Sequence, residues 1–235
     1  MGAMILADGV RVAFTDRIGG FGTGPYDSRN LGLNVGDEPE TVLRNRARTE
    51  AELGVEGAVY MRQIHSANVA RVGRAPSGGE DVPDTDAVVT DRPNLALAAL
   101  GADCPAVLVA DPGAGLVGAA HSGRVGTLLG VVPALVAELR AMGGRDPVAV
   151  VGPAACGRCY EVPEAMRDAA PEAMRSTTSW GTPALDLRAA ISAQLDDLGV
   201  KALHDGRCTI ETPELYSYRR DGVTGRFAGY VWMSG

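Results

Sequence analysis

Short apolar runs broken by glycine, proline and acidic residues set the rhythm of this chain. Residues 10–15 (V-R-V-A-F-T) read as a strand, and the next stretch carries four glycines between Gly19 and Gly24, which makes it a loop. The segment E-P-E-T-V-L-R-N-R-A-R-T-E-A-E-L-G predicts a helix with Val42, Leu43, Ala47 and Leu53 on one face and Gly54 as its stop. Its Arg44, Arg46 and Arg48 are expected in solvent. Residues 58–65 (A-V-Y-M-R-Q-I-H) read as a strand delivering His65 near its end, and the polar S-G-G-E-D-V-P-D-T-D after it as a surface loop. Apolar runs at 87–89, 95–100, 107–110 and 116–120 follow at gaps too short for helical crossovers, which favours antiparallel or mixed strand pairing.

From 127 to 142 the apolar positions Leu128, Leu129, Val131, Val132, Leu135, Val136 and Leu139 suit a buried helix that Gly130 and Pro133 delay or kink. Residues 148–151 predict another strand, 163–174 a helix interrupted at Pro171, and 186–198 a helix with Asp186 as its N-cap. With no internal repeat, linker or low-complexity tract, the pattern implies a single α/β domain over residues 1–235, a mixed sheet with flanking helices.

Composition narrows the function classes. The net charge of -7 offers no basic footprint for nucleic acid or an anionic membrane surface, so a small-molecule substrate is expected. There is no apolar run long enough to span a bilayer, and the N-terminus has neither the basic start nor the apolar core of a secretory signal. Four cysteines in 235 residues do not make a disulfide framework. The expectation is a cytoplasmic protein with reduced thiols, a monomer or small homo-oligomer.

Candidate chemistry gathers at few places. Cys104, in A-L-G-A-D-C-P-A-V-L-V-A-D-P, and His121, in L-V-G-A-A-H-S-G-R-V-G, each end an apolar strand-like run. His65, in Q-I-H-S-A-N-V, is a third member, since thiolate and imidazoles together suit a metal site or an activated thiol. Gln63 beside it is a substrate contact or a strand-edge cap. The glycine-containing turn at 123–127, with Arg124, and the Arg219–Arg220 pair in S-Y-R-R-D-G-V-T-G-R are candidates for holding an anion. C-G-R-C at 156–159 lacks a matching second C-x-x-C and reads as two packing cysteines in a turn.

Taken in order, Q-I-H-S-A-N-V, D-T-D-A-V-V-T, A-D-C-P-A-V-L-V-A-D-P, G-A-A-H-S-G, G-P-A-A-C-G-R-C-Y-E-V and Y-S-Y-R-R-D-G-V-T-G-R resemble the YfiH/PgeF family, long labelled polyphenol oxidase or laccase-domain proteins. The resemblance implies a fold related to the cytotoxic necrotising factor deamidases and a zinc-capable site of His65, Cys104 and His121. It also implies phosphorolysis of adenosine, inosine and S-methyl-5'-thioadenosine, adenosine deamination and, for some members, peptidoglycan-precursor editing. The chain departs from the family's His-Ala-Gly-Trp-Arg-Gly at Arg124 and Val125, has Asn34 where a histidine is common, and has Gly101 where threonine often stands.

Histidine arithmetic bears on the laccase label. The chain has three histidines, so a site using His65 and His121 leaves only His204, too few for a trinuclear copper cluster. By ligand count one His2Cys site could hold copper, while zinc with an open fourth position suits deamination. Nucleoside and phosphate are the expected small-molecule partners. Two other readings use the same residues: an amidase editing UDP-muramoyl amino acids, and a catalytically impaired zinc-binding protein.

Overall fold

The apolar runs look continuous because the strands they form are buried on both faces. A computed structural model describes residues 4–235. Its strands are β1 (Met4–Ala7), β2 (Val10–Phe14), β3 (Gly57–Val59), β4 (Val69–Arg71), β5 (Ala87–Thr90), β6 (Leu95–Gly101), β7 (Ala106–Asp111), β8 (Leu116–His121), β9 (Val148–Val151), β10 (Arg175–Thr177), β11 (Pro183–Leu185), β12 (Lys201–His204) and β13 (Phe227–Met233). The helices are α1 (Pro39–Leu53), α2 (Arg124–Leu129), α3 (Val131–Ala141), α4 (Glu164–Asp168), α5 (Leu187–Asp197) and α6 (Tyr218–Asp221).

One sheet runs β1-β2-β13-β6-β3, a second β12-β9-β7-β8-β5-β4, and β10 pairs with β11 as a separate hairpin. Both large sheets mix parallel and antiparallel pairs. Leu95, Leu97 and Ala99 of β6 face the core between the sheets together with Ala106, Leu108 and Ala110 of β7. The alternate residues point outward: Ala96, Ala98 and Leu100 meet Leu31 and Tyr60, while Val107 and Val109 meet Leu135 of α3 and Ile191 of α5. Period-2 alternation is intact, but both faces are apolar, so the sequence shows unbroken runs. The result is a mixed α/β sandwich.

Several elements differ from the sequence expectation. The strand entering at residue 57 ends at Val59, Met61 adds a single bridge to Val82, and His65 sits beyond it in a turn at φ 62°. The apolar stretch at 127–142 is two helices, because Gly130 adopts the left-handed conformation (φ 81°) and breaks the run between them. Between 163 and 174 only α4 and one short 3₁₀ turn form. Asp186 does cap α5, accepting from the Ala189 N–H. The central strand β13 and the edge strands β1, β4 and β12 were not part of the predicted pattern.

The buried face of α1 is also different: it consists of Val42, Asn45, Arg46 and Thr49, and Ala47 is exposed. The helix packs on backbone of the glycine-rich segment, whose polar groups need partners. Asn45 donates to the carbonyls of Ser28 and Asn30 and accepts from the Phe21 N–H. Arg46, expected in solvent, is buried, donating to Leu31 O, pairing with Asp81 at 2.7 Å and lying over the Tyr60 ring.

Candidate active site

The seventeen-residue spacing of Cys104 and His121 is the length of a β-hairpin. β7 and β8 pair antiparallel with Ala106 opposite His121, so the residue ending β8 lies beside the loop that enters β7. Cys104 stands two residues before that register point. Hairpin closure therefore brings thiol and imidazole to the same sheet end.

His65 arrives from the turn after β3, and Asp86, at the entry to β5, fixes it there. The Asp86 carboxylate is fully buried and accepts from the N–H groups of Ile64, His65 and Ser66 and from the Ser66 hydroxyl. These contacts hold His65 in its left-handed backbone conformation, one that non-glycine residues adopt at a cost. The same carboxylate meets His121 Nδ1 at 2.9 Å, and the Asp86 carbonyl accepts the His121 N–H. One aspartate thus positions both histidines, whose rings lie edge to face with centroids 4.8 Å apart.

Asp103 performs a similar service for Cys104. It too has positive φ (99°), and its buried carboxylate accepts from the hydroxyls of Thr209 and Ser217 and from the Arg219 N–H. Gly123 supplies the remaining space: a Cβ there would lie 2.6 Å from His65 Cδ2 and 2.9 Å from Cys104 Sγ. Neither aspartate was singled out from sequence. The usable signal was a carboxylate directly before a strand or a candidate thiol, in D-T-D-A-V-V-T and A-D-C-P.

The electrostatics follow from these contacts. Burial opposes charge on Cys104, but hydrogen bonds from His121 and His65 outweigh it and bring the thiol down to about 6. Burial disfavours the imidazolium of His121, yet Asp86 and Cys104 raise it to about 9. Asp86 is lowered to about 2 against its own burial, through the bonds from His121 and Ser66. The result is a thiolate–imidazolium–carboxylate chain.

The donor atoms of His65, Cys104 and His121 lie within 4.8 Å of one another. With Nδ1 of His121 committed to Asp86, the other ring nitrogen serves the cluster, the arrangement by which a carboxylate orients a histidine ligand. This donor set fits zinc. The cluster opens into a cavity of about 470 Å³, in the range of small-molecule sites, with Leu33, Val35, Met61 and Tyr218 among its apolar walls and Asn34 as a polar group.

The four expected substrate contacts divide. Arg219 lines the cavity, stacked on Tyr160 at 4.6 Å and donating to Glu161 O. Gln63 lines it as well, but its amide pairs with the Leu100 backbone, donating to the carbonyl and accepting the N–H. Arg220 lies outside the lining, its guanidinium held by the carbonyls of Thr209, Thr212 and Leu215 and by Asp221. Arg124 and the rest of the expected anion-holding turn at 123–127 also lie outside it: the segment is the start of α2, with Thr127 bonded back to Ser122 and Gly123. A cation not selected from sequence, Arg226, is in the wall; burial lowers its pKa, and its Nη1 donates to the carbonyls of Thr224 and Gly225.

The two-sheet sandwich that carries this hairpin is of the YfiH type. It superposes on a Neisseria meningitidis protein of a family of unknown function (TM-score 0.86, 37% identity, 97% of this chain and 96% of that one). YlmD of Geobacillus stearothermophilus matches at TM-score 0.88 with 32% identity over 97% of this chain and 93% of that one. The chain belongs to the family described as multi-copper polyphenol oxidoreductase laccase, whose pattern matches residues 11–234. Among its relatives, a Streptomyces coelicolor protein is 50% identical over 96% of both chains, and a Mycobacterium tuberculosis protein 47% identical over 95% of this chain and 92% of its own. Both are named purine nucleoside phosphorylases. The cavity holds two of the chain's three histidines, too few for the several coppers that the family's description names, and His204 lies outside it, 3.5 Å from the Ser192 hydroxyl. Among the described residues no helix is long and apolar enough to cross a membrane.

Proposed function

We propose that the protein is a purine nucleoside phosphorylase that also deaminates adenosine, acting as one domain over residues 1–235 on adenosine, inosine and S-methyl-5'-thioadenosine. The observation that carries this reading is the content of one cavity: two arginines, Arg219 and Arg226, share it with the His65–Cys104–His121 cluster. The names of relatives at 47–50% identity support it.

Phosphorolysis needs an anion held beside the ribose C1' while the purine departs. Guanidinium groups suit phosphate, so Arg219 and Arg226 hold it, and the apolar wall with Asn34 receives the base and sugar. A phosphate oxygen bonds to C1' as the C1'–N9 bond breaks, and its electron pair leaves with the purine. The purine then takes up a proton, which His121 and Cys104 are poised to hold or move. In deamination, water adds at C6, a proton moves through the same pair and the amino group leaves as ammonia. Zinc, held by His65, Cys104 and His121, would supply Lewis acidity toward an oxygen of water or substrate. Gln63, with its amide engaged, shapes the wall.

The test is an adenosine assay with and without phosphate, read for adenine, inosine and hypoxanthine. The expected result is adenine only with phosphate, and inosine in either case. Turnover of a UDP-linked muramoyl amino acid with no nucleoside turnover would replace this reading with the amidase.

A further inference from the structure

The remaining three cysteines also converge. β9 and β12 are parallel neighbours, with His204 paired to Val151, so the loops leaving them run side by side. Ala154 bridges Cys208 in parallel register, the Thr209 N–H donates to Ala154 O, and the Cys156 N–H donates to Cys208 Sγ at 3.4 Å. The sulfurs of Cys156, Cys159 and Cys208 and a carboxylate oxygen of Glu211 end up within 4.8 Å of one another. A tetrahedral zinc with Zn–S bonds of ~2.3 Å spaces its sulfurs about 3.8 Å apart, a small contraction from that.

The backbone is arranged for sulfur ligands. In Cys156-Gly-Arg-Cys159 the chain turns back on itself, with the Cys159 N–H on Cys156 O at 2.9 Å. In the second half, Cys208-Thr-Ile-Glu211, the Thr212 N–H closes on Cys208 O, and Cys208 Sγ accepts the Cys156 N–H at 3.4 Å. A backbone N–H aimed at sulfur, as that of Cys156 is at Cys208, favours a thiolate. The partner that C-G-R-C lacked in sequence is therefore a C-x-x-E turn, delivered by the sheet.

We infer that Cys156, Cys159, Cys208 and Glu211 form a second, structural zinc site, separate from the cavity cluster. A Cys3Glu set closes all four positions, the mark of a structural rather than a catalytic zinc. It clamps the β9 and β12 loops together, and through them the cavity wall: Ala155 and Tyr160 of the first loop line the cavity, and Thr209 of the second bonds Asp103.

The test begins by removing the cavity donors together, His65→Ala, Cys104→Ala and His121→Ala, and purifying the chain under reducing conditions. Stoichiometric zinc should remain, and chelator-stripped protein given cobalt(II) should develop the intense visible absorption of a tetrahedral thiolate site. Adding Cys208→Ser should remove both signals. Glu211→Gln, on an exposed residue, keeps the fold and should weaken zinc by at least the roughly 10- to 100-fold that loss of an outer partner costs. If the multiple variant does not fold, the zinc content and affinity of the wild-type chain and Glu211→Gln decide the matter, and equal values overturn the site. No zinc and no cobalt absorption in folded, reduced protein would also overturn it. So would an intact mass two hydrogens short with two of these thiols unreactive, which marks a disulfide.

Discussion

The two cysteine-bearing clusters of this molecule use the same side chain to opposite ends. Cys104 and Cys159 are both half-buried, yet Cys104 is held down at about 6, while Cys159 is pushed up by burial and by its neighbour Cys156. Around Cys104 there are three donors, an open cavity and two non-glycine residues at positive φ, His65 and Asp103. Around Cys159 there are four donors on two regular turns at the end of a parallel strand pair. In the roles proposed for them, strain and an open fourth position go with chemistry, and a closed donor set goes with stability.

The sharpest break between the clusters is Cys104→Ala, which should lower nucleoside turnover by on the order of 10²–10⁴-fold with little change in melting temperature. Cys208→Ser should do the reverse, lowering the melting temperature and leaving kcat of the folded fraction within a few-fold, as measured by thermal scans and steady-state kinetics. If the two variants exchange phenotypes, the assignment of roles falls.

Next in size is Asp86→Asn. It keeps the shape but removes the charge that holds His121 protonated, and should cost about 10- to 100-fold in zinc affinity or activity, checked by metal titration and kcat. Asp86 also links the cluster to acid stability. Its folded pKa is lowered from 3.8 to about 2, so its contribution is present above 3.8 and is lost as pH falls toward 2.

The pKa contrast itself can be titrated. In metal-free protein Cys104 should react with iodoacetamide with a midpoint near pH 6, well below the ordinary 9.0, whereas Cys159 should react only at strongly alkaline pH. The thiolate exists above about 6 and the imidazolium of His121 below about 9. The thiolate–imidazolium pair is thus lost as pH falls through about 6, and on the other side as pH rises through about 9. Peptide mapping of the alkylated chain reads each cysteine separately.

Arg219→Ala should raise KM for phosphate while sparing phosphate-independent deamination. Arg220→Ala should leave KM unchanged and lower the melting temperature, since its guanidinium serves backbone carbonyls. The smallest effect belongs to Arg124→Ala, outside the cavity, with a stability change within about 0.5 kcal/mol and kinetics unaltered.

Much of the fold was legible in the chain. β5, β6, β7 and β8 were readable as short apolar runs, and Asp186 as a cap, because those signals are local. The polar buried face of α1 was not, since Asn45 and Arg46 are buried against backbone that a distant segment supplies. β13 went unread for a related reason: its run F-A-G-Y-V-W-M becomes a central strand only because β2 and β6 flank it.

The candidate site divides along the same line. Cys104, His65 and His121 could be named from residue type and position, since a thiol and two imidazoles in a histidine-poor chain are conspicuous. That they meet depends on the β7–β8 register and on Asp86, which joins residues from three places. The sequence by itself determined the local units: the strands, the caps, the reactive side chains and the histidine shortage that rules out a copper cluster. Tertiary structure alone decided which arginines face the cavity, which aspartates hold the reacting groups, and that C-G-R-C finds its partner in C-T-I-E. Those outcomes rest on pairings of distant strands and on burial of charge, neither of which is written in any short stretch of residues.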